Sequence, residues 1–282
     1  MGLGLKNTSA ANNWETNGKK GDHTAMSITT FAFWKDRLRA SGIHLSISLV
    51  MATLAALLVF VIWYPYPYRE ISGGRELFMI LVTVDVILGP LITLAIFNRD
   101  KPWAVLRRDL AVVGLLQLAA LGYGLWTVFV ARPVHLVFEY DRFRAVHAID
   151  VPQELMDKAP AEMRTLPITG PTLLGLRPLL DGNEKLDATL AALQGVDLGS
   201  RPDLWQPYEK SRAQVLKEGK TVAQLKQRFA DKAAEIDAAV ARTGRQPGQL
   251  LYLPMVGRKT FWTVWVDSNT AEVLGFMPLD SF

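Results

Sequence analysis

The chain has 282 residues, half of them apolar and 21% charged, with a formal net charge of +4 and a mean hydropathy of +0.15. A soluble globular protein carries about 25% charged residues, so the balance already points to a membrane. The absence of cysteine excludes disulfides, thiolate metal sites, cysteine nucleophiles and lipid attachment through cysteine, and four scattered histidines (His23, His44, His135, His147) make no zinc motif.

Residues 1–25 are polar, rich in Gly, Asn, Thr and Lys, and show no apolar period. Such a segment buries too little to fold alone. Met26 reads as a more conventional N-terminus than Met1, and residues 1–40 are expected to form a disordered, cytoplasmic tail.

Three apolar runs follow, at 43–63, 77–97 and 110–130, each of 21 residues. At 1.5 Å per residue each covers the roughly 30 Å hydrocarbon core. Lys35, Arg37 and Arg39 precede the first run, and Arg99, Lys101, Arg107 and Arg108 lie between the second and third. The loop between the first two has Arg69 and Arg75 balanced by Glu70 and Glu76. The cationic sides agree on an N-terminus inside and residues 131–282 outside, in the periplasm of a double-membrane bacterium. The first run is longer than a signal-peptide core of about 7–15 residues and ends on Trp63-Tyr-Pro-Tyr-Pro-Tyr68 without a small-x-small cleavage site, so it reads as an uncleaved anchor. Trp63, Tyr64, Tyr66 and Tyr68 fit an interfacial aromatic belt, as do Trp103 and Trp126.

Residues 131–282 carry 19 basic and 19 acidic side chains. The excess positive charge therefore belongs to the membrane part and the tail, where topology accounts for it, and no nucleic-acid partner is expected. Residues 134–151 read as two strands broken near Asp141-Arg142. Short helical pieces are expected at 152–158 and 186–193, and a helix at 207–218. The strongest helical pattern is Thr221–Thr243, where Val222, Leu225, Phe229, Ala233, Ile236 and Val240 recur at three- and four-residue steps. Thr221 and Gln224 predict a capping box, and Gly244 a stop. A strand at 249–256 and a hairpin of 260–266 with 271–277 close the chain. The expected fold is three transmembrane helices (domain 41–130) followed by a periplasmic α+β domain (131–282) with helices on an antiparallel sheet.

Asp85 is the first candidate for chemistry. An ionised Asp at the bilayer centre costs about 2.5–3.5 kcal/mol, so it must meet a partner, water or a proton. Gly89-Pro90 four residues on can kink the helix, and Thr53 and Gln117 are candidate partners. Three readings stand: a polar clasp among the three helices, a contact with another membrane helix, and proton translocation, the last disfavoured because one acid offers no relay. In the third run, Gly114, Ala119, Gly122 and Gly124 allow close helix approach, either within the bundle or to a partner. The C-terminal region holds no Gly-x-Ser-x-Gly elbow, no His-Glu-x-x-His and no phosphate-cradling Gly-rich loop. No catalytic set, metal site or cofactor is expected. Glu139 and Asp141 read as a solvated strand rim, His135 and His147 as satisfied or exposed strand residues. Trp262 and Trp265 are either hairpin core or a periplasmic contact.

One ordered set of segments is more specific than any of these. It comprises Gly42-Ile-His-Leu-Ser46, Trp63-Tyr-Pro65, Val84-Asp-Val-Ile-Leu-Gly-Pro-Leu-Ile-Thr93, Phe97-Asn98, Arg107-Arg-Asp-Leu110, Leu116-Gln-Leu-Ala-Ala-Leu-Gly-Tyr-Gly124, Ala131-Arg-Pro-Val134, Phe138-Glu139, Asp141-Arg-Phe143 and Gly275-Phe-Met-Pro-Leu-Asp280. Together they resemble the TfpX/TfpZ family of type IV pilin accessory proteins over about residues 37–282, more loosely in 152–250. The resemblance implies a non-catalytic inner-membrane chaperone or assembly modulator for a particular type IV major pilin. Its partners would be that pilin, other inner-membrane pilus assembly proteins and lipid. Asp85, Gly89, Pro90, Gln117, Gly122 and Gly124 are the candidate contacts for the pilin helix, with Trp262 and Trp265 for its globular domain. The competing readings are an envelope sensor signalling through a partner membrane protein and a membrane-anchored enzyme.

Overall fold

The computed structural model describes residues 20–282, and the side chains from Trp34 onward. Residues 1–19 of the expected tail lie outside the described residues. Helix α1 (Lys20–Leu57) begins inside the stretch 1–40 expected to be disordered and runs on as a π-helical turn, Leu58–Trp63. A short turn, α2 (Tyr68–Ile71), leads into α3 (Gly74–Thr83). A second π-helical turn (Val84–Leu88) joins α3 to α4 (Gly89–Ile96), and α5 (Trp103–Val130) follows. Among the described residues three helices are long and apolar enough to cross a membrane, Trp34–Trp63, Gly74–Ile96 and Trp103–Val130. The third starts seven residues before the apolar run because Arg107, Arg108 and Asp109 are already helical, with Lys101 Nζ 2.7 Å from the Asp109 carboxylate.

The C-terminal domain is built on one sheet. Its strands are β1 (Pro133–Glu139), β2 (Arg142–His147), β3 (Thr172–Leu176), β4 (Trp205–Pro207), β5 (Lys220–Thr221), β6 (Leu250–Val256), β7 (Phe261–Asp267) and β8 (Val273–Met277). The order is β4-β3-β1-β2-β6-β7-β8, with β5 beside β6. The sheet is mixed and mostly antiparallel, since β1 runs parallel to β3 and β2 to β6. Its helices are α6 (Gly182–Leu193), α7 (Arg212–Glu218), α8 (Val222–Arg228) and α9 (Ala233–Arg242). Strand alternation sorts the core. Leu136, Phe138, Phe143, Leu253, Met255, Val264 and Val266 face one layer with Tyr208 and Val215. Trp265 and Tyr252 face the other, under Leu225, Ile236 and Val240 of α8 and α9. A separate cluster of Val134, Val137, Val146, Leu174, Leu176 and Trp205 fills the β1–β3–β4 end.

The expected helix 221–243 is two helices, because Phe229 leaves helical geometry (φ −123°, ψ 61°) and a single turn at Ala230–Lys232 redirects the chain. The apolar steps survive the break, since both helices lie on the same core. The Thr221–Gln224 capping box is present, and Gly244 takes the left-handed conformation (φ 70°) just past the end of α9. Replacing Thr221 by Ala should lower stability by about 1 kcal/mol. Chemical denaturation of the detergent-solubilised chain, followed by near-ultraviolet circular dichroism, reads it.

The aromatic segment after the first span is not an interfacial belt. Tyr64, Tyr68 and Ile71 are buried, and only Tyr66 is exposed. The Tyr64 hydroxyl donates to the Val128 carbonyl at 2.9 Å, and its ring lies where a Cβ on Gly74 would fall. Tyr68 and Ile71 join the sheet core, the Gly170 amide donates to the Ile62 carbonyl at 2.8 Å, and Ile71 occupies the space a Cβ on Gly257 would need. The chain accordingly divides into two compact units. One holds the described residues up to Val50 together with Val84–Leu118, the other Met51–Thr83 and Ala119–Phe282. The second unit contains the C-terminal domain, the loop between the first two spans, and the helical segments that lead into both.

Candidate functional site

Within the first unit, α1 places Arg37, Ser41, His44 and Ser48 at steps of four, three and four residues, the spacing that keeps side chains on one helical face. That face meets α4. Arg37 Nη1 donates to the Leu94 carbonyl (3.3 Å), Ser41 Oγ to the Pro90 carbonyl (2.9 Å), and His44 Nδ1 lies 2.5 Å from Thr93 Oγ1. Thr93 and Ser48 are almost fully buried. In an apolar solvent these polar groups have no water to fall back on, so they close on one another.

The seam continues one turn away. Asp85 lies in the π-helical turn Val84–Leu88, 9% exposed. Gln117 Nε2 of α5 donates to the Asp85 carboxylate (3.3 Å) and to its backbone carbonyl (3.2 Å). A π turn leaves backbone carbonyls without their usual partners, and the Gln117 amide serves one of them and the carboxylate together. Gly89 makes room for it, since a Cβ there would overlap the Gln117 amide. Asp85, Gly89 and Gln117 thus act as one packed unit, a clasp between the second and third spans where the sequence suggested one among all three. Thr53, the other candidate, is exposed.

The small residues of α5 separate into two groups. Gly124 is filled by Leu81, whose Cδ1 sits where a Cβ would be. Gly114 and Gly122 have open space around them, and Gly122 lies among Leu115, Leu118, Tyr123 and Trp126, all more than 60% exposed. Trp262 and Trp265 do not form a partner surface. Both are buried, Trp262 against Tyr66 and Trp265 against Tyr252, because strand alternation turns each into a core layer. The exposed aromatics of that region are Phe261 and Phe282, edge to face at 5.2 Å.

Glu139 is not a solvated rim. It is 5% exposed, accepting from Arg144 Nε (2.8 Å) and the Gly199 amide (2.7 Å), while Arg144 reaches Asp197 at 3.0 Å. Burial pushes its carboxyl up, against the pull of Arg144 and the Gly199 amide. His135 is buried, with Nδ1 2.7 Å from Thr172 Oγ1 and its ring 4.5 Å from that of Trp205. Burial pushes its pKa down to about 4. His147 is buried too, Nδ1 3.2 Å from the Asp150 carboxylate. Among the described residues no group of three His, Asp or Glu side chains converges as metal ligands would.

The architecture defines a class: a three-helix membrane anchor with an internal polar seam, carrying a mixed-sheet domain into whose core the first interhelical loop is folded. Two fimbrial assembly proteins of Dichelobacter nodosus, of serogroups I and E1, are each 32% identical to it over 246 residues, 86% of this chain and 95% of theirs. A third, of serogroups C1 and C2, is 38% identical over 122 residues, 43% of this chain and 91% of its own. The family model described as fimbrial assembly protein FimB matches residues 32–73. The chain belongs to the fimbrial assembly protein (FimB) family. No solved structure matches it. The matched stretch 32–73 contains the α1 half of the seam and the buried Tyr64–Ile71 loop.

Proposed function

We propose that this chain assists assembly of a type IV pilus as an accessory protein for a particular major pilin, in line with its resemblance to TfpX/TfpZ proteins. It sits in the bacterial inner membrane with its N-terminus in the cytoplasm and its C-terminal domain in the periplasm. The observation that carries this reading is similarity over nearly the full length of relatives named for fimbrial assembly. The fold supports it physically. A pilin before assembly is a membrane helix with a globular domain outside, and a helper joining spans and domain on one chain can contact both, so two weak contacts sum. The open face of α5 around Ala119 and Gly122 is the proposed seat of the pilin helix, because small residues there admit close backbone approach. Asp85 is committed to Gln117 and serves the helper's own bundle.

The test is co-purification of pilin from detergent-solubilised membranes, with pilin levels measured in a deletion strain. Pilin should be recovered with the protein and fall in the deletion; neither effect would sink the proposal. Gly122→Leu should leave the protein's own level unchanged and cut recovered pilin by roughly fivefold, about 1 kcal/mol of contact. Gly124→Leu should instead lower the level of the protein itself, because Leu81 fills that site. Asp85→Asn keeps an acceptor for the Gln117 amide and should leave pilin recovery within about twofold.

A further inference from the structure

The two edges of the sheet differ. At one end β4 is three residues long and stops on Pro207, a guarded edge. At the other end β8, Val273-Leu-Gly-Phe-Met277, is apolar and carries neither charge nor proline. Its first four residues are half-buried. A groove of about 320 Å³ runs along it. One wall is Tyr66, whose exposed ring meets that of Trp262 edge to face at 6.5 Å. The other is Ala239, Arg242 and Thr243 at the end of α9, on the opposite face of the sheet. A groove whose walls come from both faces and whose floor is the edge strand has the shape of a missing strand. Arg242 stands in that wall exposed, and among the described residues no carboxylate lies within ion-pair distance of it, whereas its neighbour Arg245 is paired with Asp267.

We propose that β8 is a strand-acceptor site for an extended segment of a partner polypeptide, with alternating apolar side chains and a carboxylate that pairs with Arg242. Main-chain hydrogen bonds to the edge would supply affinity, and the Tyr66 and α9 walls would read side chains of alternate parity. Arg242, whose Nε donates to the Ala238 carbonyl of its own helix (3.2 Å) and which has no acidic partner among the described residues, selects the occupant. A second copy joined through the same edge would bring two Arg242 side chains to one five-residue seam. A lipid would leave the edge amides and carbonyls of β8 without backbone partners. The inference stands on the groove alone and does not require the pilin reading.

Fluorescence anisotropy with the full chain in detergent micelles tests it. The probe is a labelled heptapeptide of alternating Val and Thr with a free C-terminal carboxylate, and empty micelles are the blank. Saturable binding is expected. It should weaken at least tenfold when the carboxylate is amidated or Arg242→Glu is introduced, and vanish when alternate peptide nitrogens are methylated, which removes ladder donors. A peptide ending in a lysine amide should regain binding to the Arg242→Glu chain, which excludes misfolding as the cause of loss. No saturable binding overturns the proposal, as does binding indifferent to N-methylation or to the charge at position 242. So does a chain that sediments as a dimer and becomes monomeric on Phe276→Lys, for then a second copy is the occupant.

Discussion

Gly89→Ala should destabilise the membrane bundle in the natural sequence and become harmless once Gln117 is shortened. The added methyl would fall on the Gln117 amide, and overfilling a packed site costs about 1–3 kcal/mol. Displacing the amide also removes a donor from the buried Asp85 carboxylate and from a carbonyl of the π turn, interactions worth about 0.6–2 kcal/mol inside a membrane protein. Against this, alanine is favoured over glycine in a helix by about 1 kcal/mol. With Gln117→Ala already present, the clash is gone and only that helix gain remains. The double mutant should therefore be no less stable than Gln117→Ala alone, and the two changes should couple by about 2 kcal/mol in a double-mutant cycle. Unfolding of the purified chain in mixed micelles measures all four proteins. Simple additivity would mean that Gly89 and Gln117 do not meet in the membrane as they do here.

How much of this was legible in the sequence depends on what each residue had to signal. The spans were, because 21 apolar residues have few other uses in a chain. The Asp85–Gln117 pair was also legible, since two polar groups inside such runs must find partners. The α1 half of the seam is not legible, although Arg37, Ser41, His44 and Ser48 follow one another at helical steps. Each is an ordinary residue alone, and His44 has the look of a stray histidine apart from its partners' spacing. In the C-terminal domain, the capping box and the final hairpin follow from local chemistry. Strand β3 does not. Thr172–Leu176 contains no aromatic and one β-branched residue, and its Gly175 is there because the Ser211 hydroxyl fills the Cβ position. That requirement comes from a residue 36 positions away. β1 looked only partly alternating because it is buried on both faces.

The same distinction separates Glu139 from Asp141. Two carboxylates at a strand end look like a rim, and the sequence holds no local sign that Arg144 and the Gly199 amide come to one of them. The loop Tyr64–Ile71 is a parallel case. A cluster of aromatics after a span resembles an interfacial belt, and its burial is decided by Gly74 and Gly257, which leave space for Tyr64 and Ile71 respectively. This loop ties the upper part of the bundle to the sheet as one compact unit.

His135 should make the protein acid-sensitive above the range where a carboxylate held down by its partners, such as Glu184, acts. Its ring is 3% exposed, wedged between Thr172 and Trp205, and its pKa is held down at about 4 against an ordinary 6.5. The unfolded chain therefore takes up this proton first. Between pH 6.5 and 4 the unfolded state binds more protons than the folded one, so stability falls as the pH falls, and its full value is present above pH 6.5. Integrated over that window the loss amounts to about 3 kcal/mol. Glu184 titrates elsewhere: its side-chain bonds from Arg177 and the backbone amide of Leu180 hold its pKa down to about 2, so its contribution is lost only below about pH 4.5. His135→Phe keeps the contact with Trp205 and removes the proton site, while Thr172 is exposed enough to find water. Denaturation midpoints measured from pH 7.5 to 4.5 should fall steeply for the natural protein and stay nearly level for His135→Phe. Equal slopes for the two would show that some other group binds the proton.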